Sequence, residues 1–263
     1  MAQMIILGIV QGLTEFLPVS SSAHLVFAEH FLALPRPGVV LEAVLHLGTA
    51  LSAVVLFWPE VRRLVRAAIG RDGASLDAGY RRLAWLLLAA TALTGLIGLI
   101  FQGSFERMFS SVRGTAVQLM ITGVILLLAR ERGRRRMVDA RFPDAAALGV
   151  AQGISIVPGI SRSALTIAVG LWRGLTREEA ARFSFLMAIP ALVAAGLFAL
   201  RDLGEAFILG YTPVELAVGF AVSALFGMIA IRWLMDWIRR GRLLLFAVYC
   251  WAAGLAVFLW TFR

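Results

Sequence analysis

Lysine is absent from this chain, and all 25 of its basic residues are arginine. Cysteine occurs once, at Cys250 within an apolar run, so no intrachain disulfide can form. Charged residues make up only 16% of the 263 residues against 60% hydrophobic, and mean hydropathy is +0.85, which excludes an ordinary soluble domain. Residues 1–20 lack a basic n-region and a small-residue cleavage site and contain Glu15, which argues against a cleaved signal peptide. No aromatic-basic surface motif accompanies the net charge of +9, so the arginines do not read as a nucleic-acid surface.

What the chain has is lipid-compatible length. The composition predicts an all-α integral membrane protein forming one polytopic domain over 1–263. Apolar runs long enough to span lie near 39–58, 82–101, 114–130, 182–200, 213–235 and 242–262, giving six expected transmembrane helices. Two further apolar regions, 2–34 and 144–172, are broken in the middle by Pro18 with Ser20, Ser21 and Ser22, and by Pro158-Gly159 with Ser161, Arg162 and Ser163. Each half is too short to cross alone, at roughly 18 to 24 Å for 1.5 Å per residue. Proline removes a backbone donor and serine competes for backbone hydrogen bonds, so both regions are expected to be re-entrant helix-loop-helix hairpins.

The two breaks are one motif written twice. QGLTEFLPVSSSA at Gln11 to Ala23 aligns without a gap on QGISIVPGISRSA at Gln152 to Ala164, 141 positions on. The copies differ where chemistry is at stake: Glu15 faces Ile156, and Ser21 faces Arg162. Irregular backbone at membrane depth is tolerated where it is buried or lines a cavity, so the two tips are expected to meet. Gly8 and Gly12, and Gly149 and Gly153, have the spacing that lets helices approach closely.

Arginine placement supplies the orientation. With six spans and two hairpins, nineteen arginines fall on one side and five on the other (Arg36, Arg107, Arg113, Arg201 and Arg263), Arg162 being set aside. The richer side is expected to be cytoplasmic and both termini outside. The first hairpin then enters from outside and the second from the cytoplasm, so the repeats, approximately 1–130 and 144–263, are expected to be inverted in topology.

The second arm of each hairpin starts near Ser21 or Arg162, which aims a helix N-terminus at each tip, a setting for an anion. Arg162 adds a forked donor, and Ser20, Ser22, Ser161, Ser163 and Thr166 add hydroxyls; phosphate fits this set best. Glu15 at depth costs roughly 2.5 to 3.5 kcal/mol unless something receives its charge. Two candidates do so: a divalent metal, Mg2+ or Ca2+, bound by Glu15 and the amide oxygen of Gln11, or an ion pair with Arg162 that locks the tips together. His24 lies three residues after Ser21 on the same helical face, where it can relay a hydroxyl proton, whereas His30 and His46 read as structural hydrogen-bonders. Asp144, after Pro143, reads as a helix cap, as do Glu42, Glu178 and Glu179 at the starts of later spans.

These strings resemble the undecaprenyl-diphosphate phosphatase family of the bacitracin-resistance type. Its first motif matches Gln11, Glu15, Pro18, Ser20, Ser21, Ser22 and His24, its second matches Pro158, Gly159, Ser161, Arg162 and Ser163, and LTREEAARFSFLMAIP from Leu175 to Pro190 is also similar. The resemblance implies removal of one phosphate from a C55 isoprenyl diphosphate, which regenerates the carrier lipid for peptidoglycan. It also implies a divalent metal, a bacterial inner membrane location and a site open to the periplasmic side. The family's acidic, hydroxyl, imidazole and arginine roles fall on Glu15, Ser21, His24 and Arg162. Gln11 replaces the acid common at the first position, and Ala164 stands where the second motif commonly has glycine. The expected partners are a polyprenyl diphosphate lipid and the bilayer, with a homodimer left open. The rival expectation is a transporter or lipid flippase, because inverted repeats with broken helices are also a transporter architecture.

Overall fold

Where the sequence interrupts its apolar runs, the chain turns back. In the computed structural model, which describes residues 1–31, 39–70, 78–202, 204, 207 and 210–262, α1 (Ala2–Phe16) ends at Leu17 with an extended ψ of 141°. A residue before proline is pushed out of the helical region, and Leu17 precedes Pro18. Ser20 then adopts φ 66°, the only positive φ outside glycine among the described residues, and α2 (Ser21–Phe31) returns. The second break repeats this with glycine: α7 (Phe142–Ile154) ends before a turn in which Gly159 takes φ 94°, and α8 (Arg162–Trp172) follows. Arg36, Arg71, Arg263 and the last three residues expected for the first hairpin, 32–34, lie outside the described residues.

Between and after these two broken pairs run α3 (Val39–Leu56), α4 (Trp58–Ala68), α5 (Ala78–Phe109), α6 (Val112–Leu128), α9 (Arg177–Ala199), α10 (Pro213–Arg239) and α11 (Leu243–Trp260). Ser111, Thr176 and Thr212 cap α6, α9 and α10 by accepting a backbone N–H three residues on. Among the described residues, four helices are long and apolar enough to cross a membrane: Ala78–Phe105 within α5, then α9, α10 and α11. They take up the expected runs 82–101, 182–200, 213–235 and 242–262. A fifth span arises if α3 and α4 are one broken span, but α4 departs from α3 by 86°. Proline in its first turn, Pro59, lacks the N–H that would continue the ladder. The run near 114–130 becomes α6, an apolar helix of 17 residues. The chain is a multi-pass, all-helical membrane protein, with large apolar side chains such as Leu99 and Ile100 left exposed for lipid.

The first helix of each broken pair packs on a helix from the opposite half of the chain. α1 runs along α10, so close that a Cβ on Gly12 would lie 2.7 Å from the carbonyl oxygen of Ser223. α7 runs along α5, where a Cβ on Gly149 would lie 2.8 Å from the Ala90 carbonyl oxygen. Small residues allow these backbone approaches, and a larger side chain would separate the helices. α3 packs on α9 and α6 on α11, closing the bundle around Phe16, whose ring meets that of Phe185 edge-on at 5.4 Å. Asp144 caps α7 as expected, accepting the Arg141 N–H at 2.9 Å, and it also binds Arg135 at 2.8 Å and Arg173 at 2.7 Å.

Candidate active site

The two tips meet, and the contacts between them are hydrogen bonds. Ser163 Oγ donates to the Leu17 carbonyl at 3.0 Å, and the Gly159 N–H donates to Ser22 Oγ at 3.4 Å. Thr122 of α6 pins the second tip, accepting the Ser161 N–H at 3.0 Å and donating to the Gly159 carbonyl at 2.8 Å. The duplicated serines do duplicated work. Ser20 Oγ accepts the Ala23 N–H at 3.3 Å and Ser161 Oγ accepts the Ala164 N–H at 3.2 Å, and each shares a 3.1 Å bond with the serine two positions on. These caps satisfy donors at the start of α2 and α8 and hold both N-termini toward the tips.

Glu15, one residue from the end of α1 and 6% exposed, is the hub. Its Oε2 accepts from Gln11 Nε2 at 2.9 Å, one helical turn earlier, and from Ser21 Oγ at 2.7 Å. Its Oε1 accepts from Arg162 Nη2 at 2.6 Å. A buried carboxylate is tolerable only when paired and hydrogen-bonded, and both conditions are met here. The ion pair between tips is therefore present. Arg162 also donates through Nη1 to the Ser184 carbonyl at 3.3 Å, and Ser184 Oγ bonds Thr166 Oγ1 at 2.7 Å. Thr166 thus sits behind Arg162 and braces α8 against α9.

His24 is held differently. Its Nδ1 contacts the Ser20 carbonyl at 2.8 Å, and its Nε2 contacts the Tyr249 hydroxyl at 2.7 Å, with the two rings stacked at 5.7 Å. A carbonyl can only accept, so Nδ1 carries a proton, and whenever the ring is neutral Nε2 accepts from the Tyr249 hydroxyl. The Ser21 hydroxyl proton is directed to Glu15.

Three contributors to the site carry no motif in the sequence. His46, which reads as structural, does donate from Nδ1 to the Glu42 carbonyl at 2.7 Å, yet its Nε2 lies 3.5 Å from Glu15 Oε2. Ser184 lies within the third similar segment without standing out in it, and Tyr249 follows no motif. No local signal could have found them, since their contacts join distant helices.

Gln11 Oε1 is buried with no hydrogen-bond partner, beside a carboxylate, which suits a hard cation. Gln152 Oε1 is equally unpartnered, but there Ile156 stands in place of the acid, so only the first tip offers both oxygens. No group of three His, Cys, Asp or Glu side chains able to hold a metal occurs among the described residues. A cation fits here only with phosphate oxygens completing its shell.

The chain matches known proteins over nearly its whole length. A family model described as bacitracin resistance protein BacA matches residues 4–256. The undecaprenyl-diphosphatase of Rubrobacter xylanophilus is 41% identical over 264 residues, covering 97% of this chain and 96% of that protein. Those of Carboxydothermus hydrogenoformans and Halothermothrix orenii are 39% and 37% identical over 259 and 257 residues; each alignment covers 97% of this chain, and 95% and 96% of the relatives.

Proposed function

The chain belongs to the bacitracin resistance protein BacA family, and from that membership we propose how its paired tips work. It is a membrane phosphatase that hydrolyses undecaprenyl diphosphate to undecaprenyl phosphate and inorganic phosphate, recycling the carrier lipid for peptidoglycan synthesis and conferring bacitracin resistance. One observation carries the mechanism: a single carboxylate, Glu15, holds the Ser21 hydroxyl of its own tip and the Arg162 guanidinium of the other.

In the proposed step, the oxygen of Ser21, or of a water in its place, forms a bond to the terminal phosphorus. The anhydride P–O bond breaks, and the carrier lipid leaves as its monophosphate. The Ser21 proton passes to Glu15, along the 2.7 Å hydrogen bond already in place. If Ser21 attacks, water must then cleave the phosphoserine, and His24, held by Tyr249, is the second group able to handle that proton. Arg162 uses two of its five N–H donors on Glu15 and Ser184, leaving others for the phosphate oxygens where charge develops. Ser20, Ser22, Ser161 and Ser163, with the N-termini of α2 and α8, line the phosphate's surroundings. A bound Mg2+ or Ca2+, held by Glu15 and Gln11 Oε1, would offset phosphate charge and polarise the anhydride.

The finer topology belongs to the same proposal: six spans, two re-entrant hairpins and inverted repeats near 1–130 and 144–263. The arms of the hairpins, 15, 11, 13 and 11 residues long, are too short to cross, and the arginine asymmetry puts both termini outside. The site then opens to the periplasmic side of the inner membrane. The tips are complete within one chain, so a homodimer is not required for the chemistry.

Phosphate release from a C55 diphosphate by purified protein in detergent, with Mg2+ or Ca2+ and no membrane gradient, tests the whole. Metal-dependent release, abolished by chelator and by Glu15→Ala, is expected. No release from the unmodified protein would overturn the mechanism in favour of transport.

A further inference from the structure

Threonine inside a helix can return its hydroxyl to a carbonyl one turn earlier. Thr14 and Thr91 do so, donating to the Val10 carbonyl at 2.6 Å and to the Leu87 carbonyl at 2.8 Å. Thr122 of α6, fully buried, gives its hydroxyl to another segment: it donates to the Gly159 carbonyl and accepts the Ser161 N–H, 37 and 39 positions away. One oxygen thereby fixes the backbone on both sides of Ile160, immediately before Arg162 begins α8.

The second tip rests directly on α6. Thr115, Gln118 and Thr122 are spaced three and four apart, so they lie along one face of that helix. A Cβ on Gly159 would lie 2.5 Å from the Thr115 carbonyl oxygen and 2.7 Å from Gln118 Cβ, so glycine is what lets the tip come this near. α6 is in turn held by α11, where Trp251 Nε1 donates to the Met120 carbonyl at 3.0 Å. Thr122 therefore projects from a fixed support.

The first tip is held at the matching place. Pro18 and Gly159 occupy the same position of the duplicated motif, and Cys250 of α11, also fully buried, donates from Sγ to the Pro18 carbonyl at 3.6 Å. In both tips this carbonyl is held by a helix of the opposite half of the chain. The two holds differ in strength, because a thiol is a weak donor whereas the Thr122 hydroxyl makes two hydrogen bonds, at 2.8 and 3.0 Å. The firmer one is on the tip whose guanidinium reaches across to Glu15.

We propose that Thr122 is a positioning residue for the phosphatase reaction: by fixing Gly159 and Ser161 it sets where Arg162 stands between Glu15 and the phosphate. This rests on the role given to Arg162 above. Without the hydroxyl, a buried carbonyl and a buried N–H lose their partner, the tip shifts to satisfy them, and Arg162 moves with it. Misplacement by about 1 Å can cost about 100-fold in rate, and a partial shift of the tip about tenfold.

The test measures phosphate release from the C55 diphosphate by purified full-length variants, under the conditions given above, with thermal unfolding run on each to report the folded fraction. Thr122→Val, nearly the same shape without the hydroxyl, should lower kcat per folded molecule about tenfold, and Thr122→Ser, which keeps it, should stay within about twofold of the unmodified protein. Thr122→Cys, which leaves a weak donor like that of Cys250, should lose about threefold and serves if the valine variant does not fold. A double-mutant cycle then separates positioning from support of the fold. In an Arg162→Ala background, Thr122→Val or Thr122→Cys should cost nothing further, because the group it positions is gone. Equal losses in both backgrounds, or a lowered unfolding midpoint with unchanged kcat, would make Thr122 purely structural and overturn the proposal. Full activity of Thr122→Val, or a loss in Thr122→Ser equal to that in Thr122→Val, would overturn it as well. An unimpaired Arg162→Ala enzyme would instead remove the mechanism on which the proposal rests, so the two failures are told apart.

Discussion

Arg162 Nη2 and Glu15 Oε1 stand 2.6 Å apart although 147 positions separate them in the chain. The pair joins the two copies of the motif at the positions near which they diverged: the acid kept in one tip meets the cation kept in the other. Ser21, which aligns with Arg162, bonds the same carboxylate through its other oxygen. A carboxylate shared in this way is held at one orientation relative to the hydroxyl and the guanidinium, the arrangement the proposed phosphoryl transfer uses.

Replacing Arg162 by alanine should lower kcat for phosphate release by at least about 100-fold, because the charge developing on the phosphate loses its forked donor. Arg162→Lys restores charge without the fork and should recover only part of the rate. Near-normal turnover by purified Arg162→Ala protein would remove this residue from the mechanism.

Ser21→Ala distinguishes the two nucleophiles. With serine as nucleophile, rapid quench of the unmodified enzyme with terminally labelled substrate should leave label on Ser21, and Ser21→Ala should fall by about 1000-fold or more. With water as nucleophile, no label is trapped and the variant retains measurable turnover.

His46→Ala should reduce kcat by about tenfold with little change in KM, since His46 contacts Glu15 rather than the lipid. Its replacement by glutamine, which keeps a polar group near Glu15, should be milder. A rise in KM at constant kcat would instead place His46 in substrate binding.

Tyr249→Phe removes one hydroxyl while keeping the ring stacked on His24. The expected result is about a three- to tenfold loss of kcat together with an altered pH–rate profile, because His24 Nε2 loses its partner. An unchanged profile would mean that the hydroxyl has no part in proton handling.

Asp144→Ala should destabilise the fold without touching the tips. Asp144 is 1% exposed and pairs with Arg135 and Arg173, which are themselves 36% and 43% exposed, so solvent offsets part of the loss and the cost should be about 1 to 3 kcal/mol, mostly from the lost hydrogen bonds. A lowered thermal unfolding midpoint, with normal kcat per folded molecule at low temperature, is the expected signature.

Much of this was legible in the residues. Pro18 and the serines after it, and Pro158-Gly159 with theirs, announced two broken helices, and both breaks lie where those residues stand. The conflict between Glu15 and its surroundings announced a partner, and Arg162 was one of two candidates named. The bend at Phe57 was less visible, because the apolar run continues through Trp58 and only Pro59 marks the turn. His46 looked like any histidine on an apolar helix; its place beside Glu15 depends on how α3 rotates against α1.

The residue pattern alone established a membrane protein, two duplicated helix breaks, and the set of polar side chains at each tip, because backbone chemistry and hydropathy act over a few neighbouring positions. The three-dimensional packing established which of those side chains share a carboxylate. It also brought Ser184, Tyr249 and His46 to the site, and let the first helix of each broken pair lie along a helix of the opposite half. Those outcomes depend on helix rotation and on close approach at residues such as Gly12 and Gly149, which no run of neighbouring residues encodes.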